Sequence, residues 1–254
     1  MKLVHDSWLV CRRAMSPLWR SPMSLAFAMV QPVLFLVLFG PLLQPLGASF
    51  GAPDGNSWQF FVPGLLVQLA ILSAGMAGFG VIFEHRSGVV ERMRVTPMSR
   101  TALLLGRVAK DAVQLLAQAV LLIAAGTLFG LRASVPGALV GLALIGLVAV
   151  ALAAMSNAVA LRMLDREWMF APVMSQVSVF AVLLSGLLLP MSLAPDWLRW
   201  LSLVNPLSYV VDAERALFTG RIADATVLTG TLVAVALTVV TVLWGTRTYQ
   251  RQDS

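Results

Sequence analysis

Covalent chemistry at neutral pH needs a nucleophile beside a base, a cluster of metal ligands, or a cradle for phosphate, and this sequence offers few of those parts. His5 and His85 lie far apart in the chain, and neither has a cysteine or a group of carboxylates beside it. Nucleophilic and zinc chemistry therefore have no constellation to act through. Cys11 is alone, which excludes an intramolecular disulfide and a cysteine-based zinc cluster and leaves it as a small apolar residue. A phosphate loop needs glycines followed by Lys and Ser or Thr. The two lysines, Lys2 and Lys110, stand in no such setting. The expectation is a chain that is no enzyme, with no catalytic residue, no metal and no cofactor of its own.

The segment richest in reactive types suits pairing rather than catalysis. Across 83–100 the residues Glu84, His85, Arg86, Glu91, Arg92 and Arg94 mix with Val89, Val90, Met93 and Val95 at helical spacing. The run breaks at Thr96-Pro97 and restarts through 101–110. A loop that only set membrane orientation would need positive charge alone. Acids, bases and an apolar face together describe a short helix made for docking into a groove of a partner.

The elements around that segment are membrane helices. Hydrophobic residues make up 59% of the 254 positions and charged residues 12%, with a mean hydropathy of +0.85, whereas a soluble domain carries about 25% charge. A span needs about 20 apolar residues. Six segments qualify, at 24–46, 59–83, 112–129, 136–161, 169–189 and 225–245, and none contains Asp, Glu, Lys, Arg or His. The first apolar run is too long for a signal-peptide core and lacks a small-residue cleavage site, so the N-terminus is expected to be retained.

Basic residues fall where topology wants them. Fourteen of the 18 Lys and Arg lie in the N-terminal segment, the 83–111 connection, the connection around Arg162 and Arg166, and the C-terminus; Arg132, Arg199, Arg215 and Arg221 make up the other four. The bias places both termini in the cytoplasm. The net charge of +6 is accounted for in this way without a nucleic-acid partner, since the basic residues lie between apolar runs rather than on a soluble reading surface.

Two further segments have amphipathic character. In 1–23, Leu3, Trp8, Leu9, Leu18 and Trp19 alternate with Asp6, Arg12, Arg13 and Arg20, which predicts an interfacial helix on the cytoplasmic side. In 190–221, Asn205-Pro206 is a helix start. Leu207, Val210, Val211, Leu217 and Phe218 then share a face, with Asp212 and Arg215 pointing elsewhere. Trp197 and Trp200 flank Arg199 as at a membrane interface. Two short re-entrant or interfacial helices on the outer side are predicted.

Energy has to come from somewhere. Ion-coupled carriers place ionisable residues inside the membrane, and the six apolar runs have none, though they hold amides, among them Gln31, Gln68, Gln114, Gln118, Asn157 and Gln176. Hydrogen bonding between helices is the expected role of these amides, ahead of contact with a transported molecule. The glycine pairs Gly126/Gly130 and Gly137/Gly141 permit close helix approach without choosing a dimer face.

The loop motif resembles that of ABC-2 type permeases. Glu84, Gly88, Glu91, Thr96 and Pro97 occupy the family's Glu, Gly, Glu and Thr-Pro positions, with Met93 where leucine is more usual. Arg20-Ser21-Pro22, Gln31-Pro32 and Asn205-Pro206-Leu207-Ser208-Tyr209 also look like the family's pattern, so the resemblance covers nearly the whole chain. It implies an all-α polytopic membrane domain across 1–254. The loop, with Glu84, Arg86, Gly88, Glu91, Arg92, Thr96 and Pro97, would couple to a separate ATPase subunit that binds ATP and Mg. The segment at Asn205, Pro206 and Tyr209 would form an outer helix hairpin that closes the pathway. A second permease chain, identical or different, and the lipid bilayer complete the implied partners.

The pattern is closer to drug-resistance exporters of the daunorubicin type than to polysaccharide exporters. The resulting expectation is an exporter permease in the bacterial cytoplasmic membrane for a hydrophobic or amphipathic cargo, drug or lipid. A non-transporting scaffold that recruits a soluble partner is the alternative, followed by an ion-coupled secondary carrier.

Overall fold

A computed structural model of the chain describes residues 22–43, 56–87, 100–187, 191 and 194–250, with side chains in its first and fourth helices described from Met29 and Leu104. The expected interfacial helix at 1–23, apart from its last two residues, and most of the expected coupling helix, at 88–99, lie outside these residues. Among the described residues the secondary structure is helical, without strands. In chain order the helices are α1 (Pro22–Leu43), α2 (Trp58–Gly75), α3 (Phe79–Arg86), α4 (Arg100–Leu128), α5 (Val135–Arg162), a 3-10 helix (Leu164–Met169), α6 (Phe170–Leu184), α7 (Asp196–Val204), α8 (Pro206–Phe218) and α9 (Ala225–Gln250).

Five stretches among the described residues are long and apolar enough to cross a bilayer: Trp58–Arg86, Leu104–Leu128, Val135–Arg162, Leu164–Leu184 and Ala225–Gln250. The apolar stretch of α1 with described side chains, Met29–Leu42, is shorter. Helices α4 and α9 outrun the apolar segments 112–129 and 225–245 because amphipathic turns continue the same helices. This extension brings Arg107, Asp111 and Tyr249 inside helices whose apolar portions alone carry no charge.

Helix α5 is the axis of the bundle and packs against α2, α4, α8 and α9. Its buried surface, which wraps more than one side of the helix, includes Ala149, Ala151, Ala153, Ala154, Ala158 and Ala160, all at 0% exposure. Small side chains let neighbouring backbones approach, which supplies the dispersion contact that lipid-solvated helices depend on. Gly137 and Gly141 continue that surface. A Cβ on Gly141 would sit 2.6 Å from Glu214 Oε2, and one on Gly137 would overlap the Leu217 carbonyl. This glycine pair therefore seats α8 within the chain.

The second apolar segment is not one helix. It breaks at 76–78, between α2 and α3, and a break inside hydrocarbon strands backbone groups that have no water to bond. Ser156 of α5 supplies the partners: its hydroxyl accepts from Gly78 N at 2.9 Å and donates to the Gly75 carbonyl. Gly78 is required for this approach, since a Cβ there would meet the Ser156 carbonyl at 2.5 Å and Phe170 at 2.6 Å.

Between α6 and α9 the two predicted short helices are present as α7 and α8. Asn205 caps α8, its Oδ1 accepting from Leu207 N at 3.0 Å, and Pro206 takes the first helical position. Leu207, Val210, Val211, Leu217 and Phe218 are buried, Asp212 is exposed, and Trp197 and Trp200 of α7 are exposed. Arg215 departs from expectation. Rather than pointing away, it stacks on Phe60, 3.5 Å from the ring centroid, and donates to the carbonyls of Gly186 and Leu187 at 2.9 and 3.1 Å. Those carbonyls follow the end of α6, where the backbone has no helical partner, and a planar five-donor guanidinium is well shaped to bridge them.

Replacing Ser156 by Ala removes both partners at the α2–α3 break while changing little volume. The expected cost is about 1–3 kcal/mol, read as a lowered thermal midpoint of the detergent-solubilised protein. An unchanged midpoint would show that the break is held by packing alone.

Candidate functional site

The segment singled out by its charge pattern is described at both ends. Helix α3 brings in Glu84 and Arg86, and α4 restarts at Arg100. What joins the two ends is Arg107, about two turns further on and only 8% exposed. Its guanidinium donates to Glu84 Oε2 and, at 2.7 Å, to the Tyr249 hydroxyl. Three helices, α3, α4 and α9, thus meet on one side chain.

A buried guanidinium is costly unless its charge is balanced and its donors are used. Here Glu84 supplies the charge and Tyr249 takes a second donor. Around this centre lie further ties. Lys110 pairs with Asp111, Arg86 pairs with Glu167 of the 3-10 helix, and Arg162 of α5 stacks on Trp244 of α9 at 4.9 Å. The Arg86 side chain is 68% exposed, so its pair contributes little to stability and its charge remains open to a partner. Glu84 is the opposite case, held by a residue of its own chain. Gly88, Glu91, Arg92, Thr96 and Pro97 lie outside the described residues.

At the other end of the bundle, Asn205 Nδ2 donates to the Ala181 carbonyl at 3.0 Å, and the Tyr209 hydroxyl donates to the Leu203 carbonyl at 3.1 Å. With Pro206 opening α8, the three residues of the expected hairpin fasten α7 to α8 and α8 to the end of α6. Beside them stands Glu214, 0% exposed, both carboxylate oxygens lacking a hydrogen-bond partner among the described residues. Burial pushes its carboxyl up to about 8, because the charged form has lost its water and gained nothing in return.

Sequence reasoning missed Arg107, Tyr249, Glu167, Ser156 and Glu214 as structural or functional groups. Arg107 and Asp111 stand four apart on a helix and signal a common face, but nothing local connects Arg107 to Tyr249, 142 positions away. Among the described residues no group of three His, Cys, Asp or Glu side chains could hold a metal ion. The described part of the site holds helices together and presents charge.

The chain is similar to known proteins over most of its length. The family model described as ABC-2 type transporter matches residues 6–219. The putative transport permease ycf38 of Cyanophora paradoxa is 26% identical over 217 residues, covering 85% of this chain and 74% of that protein. The daunorubicin resistance ABC transporter permease protein DrrB1 of Streptomyces coeruleorubidus is 24% identical over 211 residues, or 82% of this chain and 73% of that one. The probable doxorubicin resistance ABC transporter permease protein DrrC of Mycobacterium tuberculosis (strain ATCC 25618 / H37Rv) is 23% identical over 220 residues, 85% of this chain and 78% of its own length.

Two measurements check the geometry. Arg107→Met leaves Glu84 without its counter-charge and is expected to cost about 3–5 kcal/mol, whereas Tyr249→Phe removes one neutral partner and costs about 1 kcal/mol. Denaturation in detergent that ranked them in the reverse order would contradict the central role of the guanidinium. Glu214 makes stability depend on pH. Its carboxyl ionises near 4.5 when unfolded and near 8 when folded, so the folded chain holds its proton more tightly. Stability is greatest below the lower value, falls as pH rises toward the higher one, and levels off above it. A pH series of thermal midpoints should show that fall in the parent and lose most of it in Glu214→Gln.

Proposed function

The chain belongs to the ABC-2 type transporter family, the membrane permease components of transporters whose ATPase is a separate subunit, and on that premise we propose that it exports a hydrophobic or amphipathic molecule. In this reading six helices cross the cytoplasmic membrane, α1 being the first, and both termini face the cytoplasm. The 87–99 connection docks into the ATPase subunit, and two permease chains pair with two ATPase chains.

The observation that carries the coupling is Arg107. It binds the end of α3, the start of α4 and the end of α9 to one point beside the docking connection. A displacement of that connection by an ATPase is then delivered to three helices at once, because a buried, paired guanidinium resists separation from its partners. ATP drives transport only through its preference for one of two arrangements. A stiff tie at the docking end passes that preference into the bundle. Under this division of labour Glu84 positions the loop, while Arg86, Gly88, Glu91, Arg92, Thr96 and Pro97 meet the ATPase. The hairpin at Asn205, Pro206 and Tyr209 closes the outer side. The names of the DrrB1 and DrrC relatives favour a drug as cargo.

Inverted vesicles carrying the chain together with an ABC ATPase subunit test the proposal. ATP-dependent uptake of a fluorescent anthracycline is expected, and it should survive collapse of the proton gradient. Exchanging Glu91→Lys and Arg92→Glu together should lower co-purification of the ATPase at least about tenfold, equivalent to about 1.4 kcal/mol, with the thermal midpoint unchanged. Assembly without uptake of any cargo would support a scaffold instead, and undiminished assembly of the exchanged variant would remove the docking assignment.

A further inference from the structure

The inner side of α8 carries an ionisable group that the fold encloses without answering. Glu214 is at 0% exposure, and both carboxylate oxygens lack a hydrogen-bond partner among the described residues. Its Oε2 lies against Gly141 of α5, where an added Cβ would come within 2.6 Å of it. Seating α8 on α5 therefore means burying this carboxyl.

Charge on the surrounding elements is directed elsewhere. Helix α8 packs against α2, α5, α7 and α9, and α2 contains no ionisable residue. In α5 the sole one, Arg162, stands about six turns beyond Gly141. In α9, Arg247 and Tyr249 stand about five turns beyond Gly230, the residue packed on α8. Asp196 and Arg199 of α7 are exposed. Within α8, Asp212 is exposed and pairs with Arg215 at 3.5 Å, Arg215 is engaged with Phe60 and two carbonyls, and Tyr209 donates to Leu203. In the flanking turns Arg132 and Arg221 are exposed, Arg221 pairing with Asp224 at 3.3 Å.

Ionising in place would leave a carboxylate desolvated and unpaired, whereas a carboxyl released into water ionises near its ordinary value of 4.5. Lifting α8 at neutral pH thus gives up one proton. The two connections that bound the helix are short, Asn205 toward α7 and the turn through Gly220, with φ +84°, toward α9. Displacement of α8 then needs rotation at two points rather than the unfolding of a span. We propose that Glu214 is a protonation switch on the seat of α8 against α5, neutral while the helix is seated and ionised once it lifts. Linkage of one proton makes lifting about tenfold more favourable per pH unit above the ordinary carboxyl range, until the seated carboxyl itself ionises, near 8. The switch concerns the packing of α8 and stands independently of transport. Combined with the proposed outer closure, it loosens that closure as the outside becomes more alkaline.

Hydrogen exchange of the full-length chain in nanodiscs, read by mass spectrometry between about pH 5.5 and 7.5, tests the switch. Peptides of α8 should exchange faster than those of α5, because one helix opens below the cost of global unfolding. The ratio of α8 exchange rates, parent over Glu214→Gln, should rise about tenfold per pH unit, or about a hundredfold across the range. Comparing the two proteins at each pH cancels the intrinsic pH dependence of exchange. A constant stability difference between them shifts the ratio without giving it a slope. Glu214→Met, apolar and of similar length, should give the same slope and carries the comparison if the Gln variant does not fold. A ratio that stays flat with pH overturns the proposal. So does exchange of α8 no faster than that of α5, which would mean that the carboxyl is exposed only when the whole bundle unfolds.

Discussion

In hydrocarbon a backbone amide or carbonyl that leaves a helix has no water to bond, and the irregular parts of this protein are organised around that constraint. Where α2 gives way to α3, Ser156 reaches across from α5 to serve both sides of the break. Where α6 ends, Arg215 comes down from α8 to take the carbonyls of Gly186 and Leu187. Where α8 begins, Asn205 serves its own helix with one end of its amide and Ala181 with the other. The breaks after α2 and α6 are completed by side chains from other helices, and the cap of α8 also bonds α6, so each fixes the position of one helix against another.

Buried charge obeys the same logic at higher stakes. Arg107 resides in a helix because Glu84 and Tyr249 are both there to receive it. Its burial ties elements far apart in sequence at the end of the bundle from which the 87–99 connection emerges. Glu214 solves a similar difficulty differently. Lacking a counter-charge among the described residues, it is favoured in its neutral form, wedged against Gly141 where no larger residue would fit. One end of the protein is thus fastened by an ion pair, while the other buries a carboxyl favoured in its neutral form.

The α2–α3 unit links the separate features. Along its length it faces α1 at Leu65, Gln68 and Leu69, breaks at Gly75 to Gly78 against Ser156, and ends in Glu84 against Arg107. One interrupted helix thus carries both the contact with α1 and the charged end.

Much of this was legible in the amino-acid sequence because it depends on local pattern. Apolar length and the near absence of charge identify membrane helices, Asn205-Pro206 marks the start of α8, and the Glu, Gly, Glu and Thr-Pro positions from Glu84 to Pro97 carry the family resemblance that the match over 6–219 establishes. These features involve residues a few positions apart, where propensity, capping and hydropathy act. The partnership of Arg107 with Tyr249, the service of Ser156 to a break 78 positions earlier, and the inward turn of Arg215 joined residues that no local pattern relates. Only the tertiary packing decided them. Whether a buried polar side chain is an anchor, a burden or a binding group depends on which groups the fold sets within hydrogen-bonding distance, and that is a property of neighbours in space.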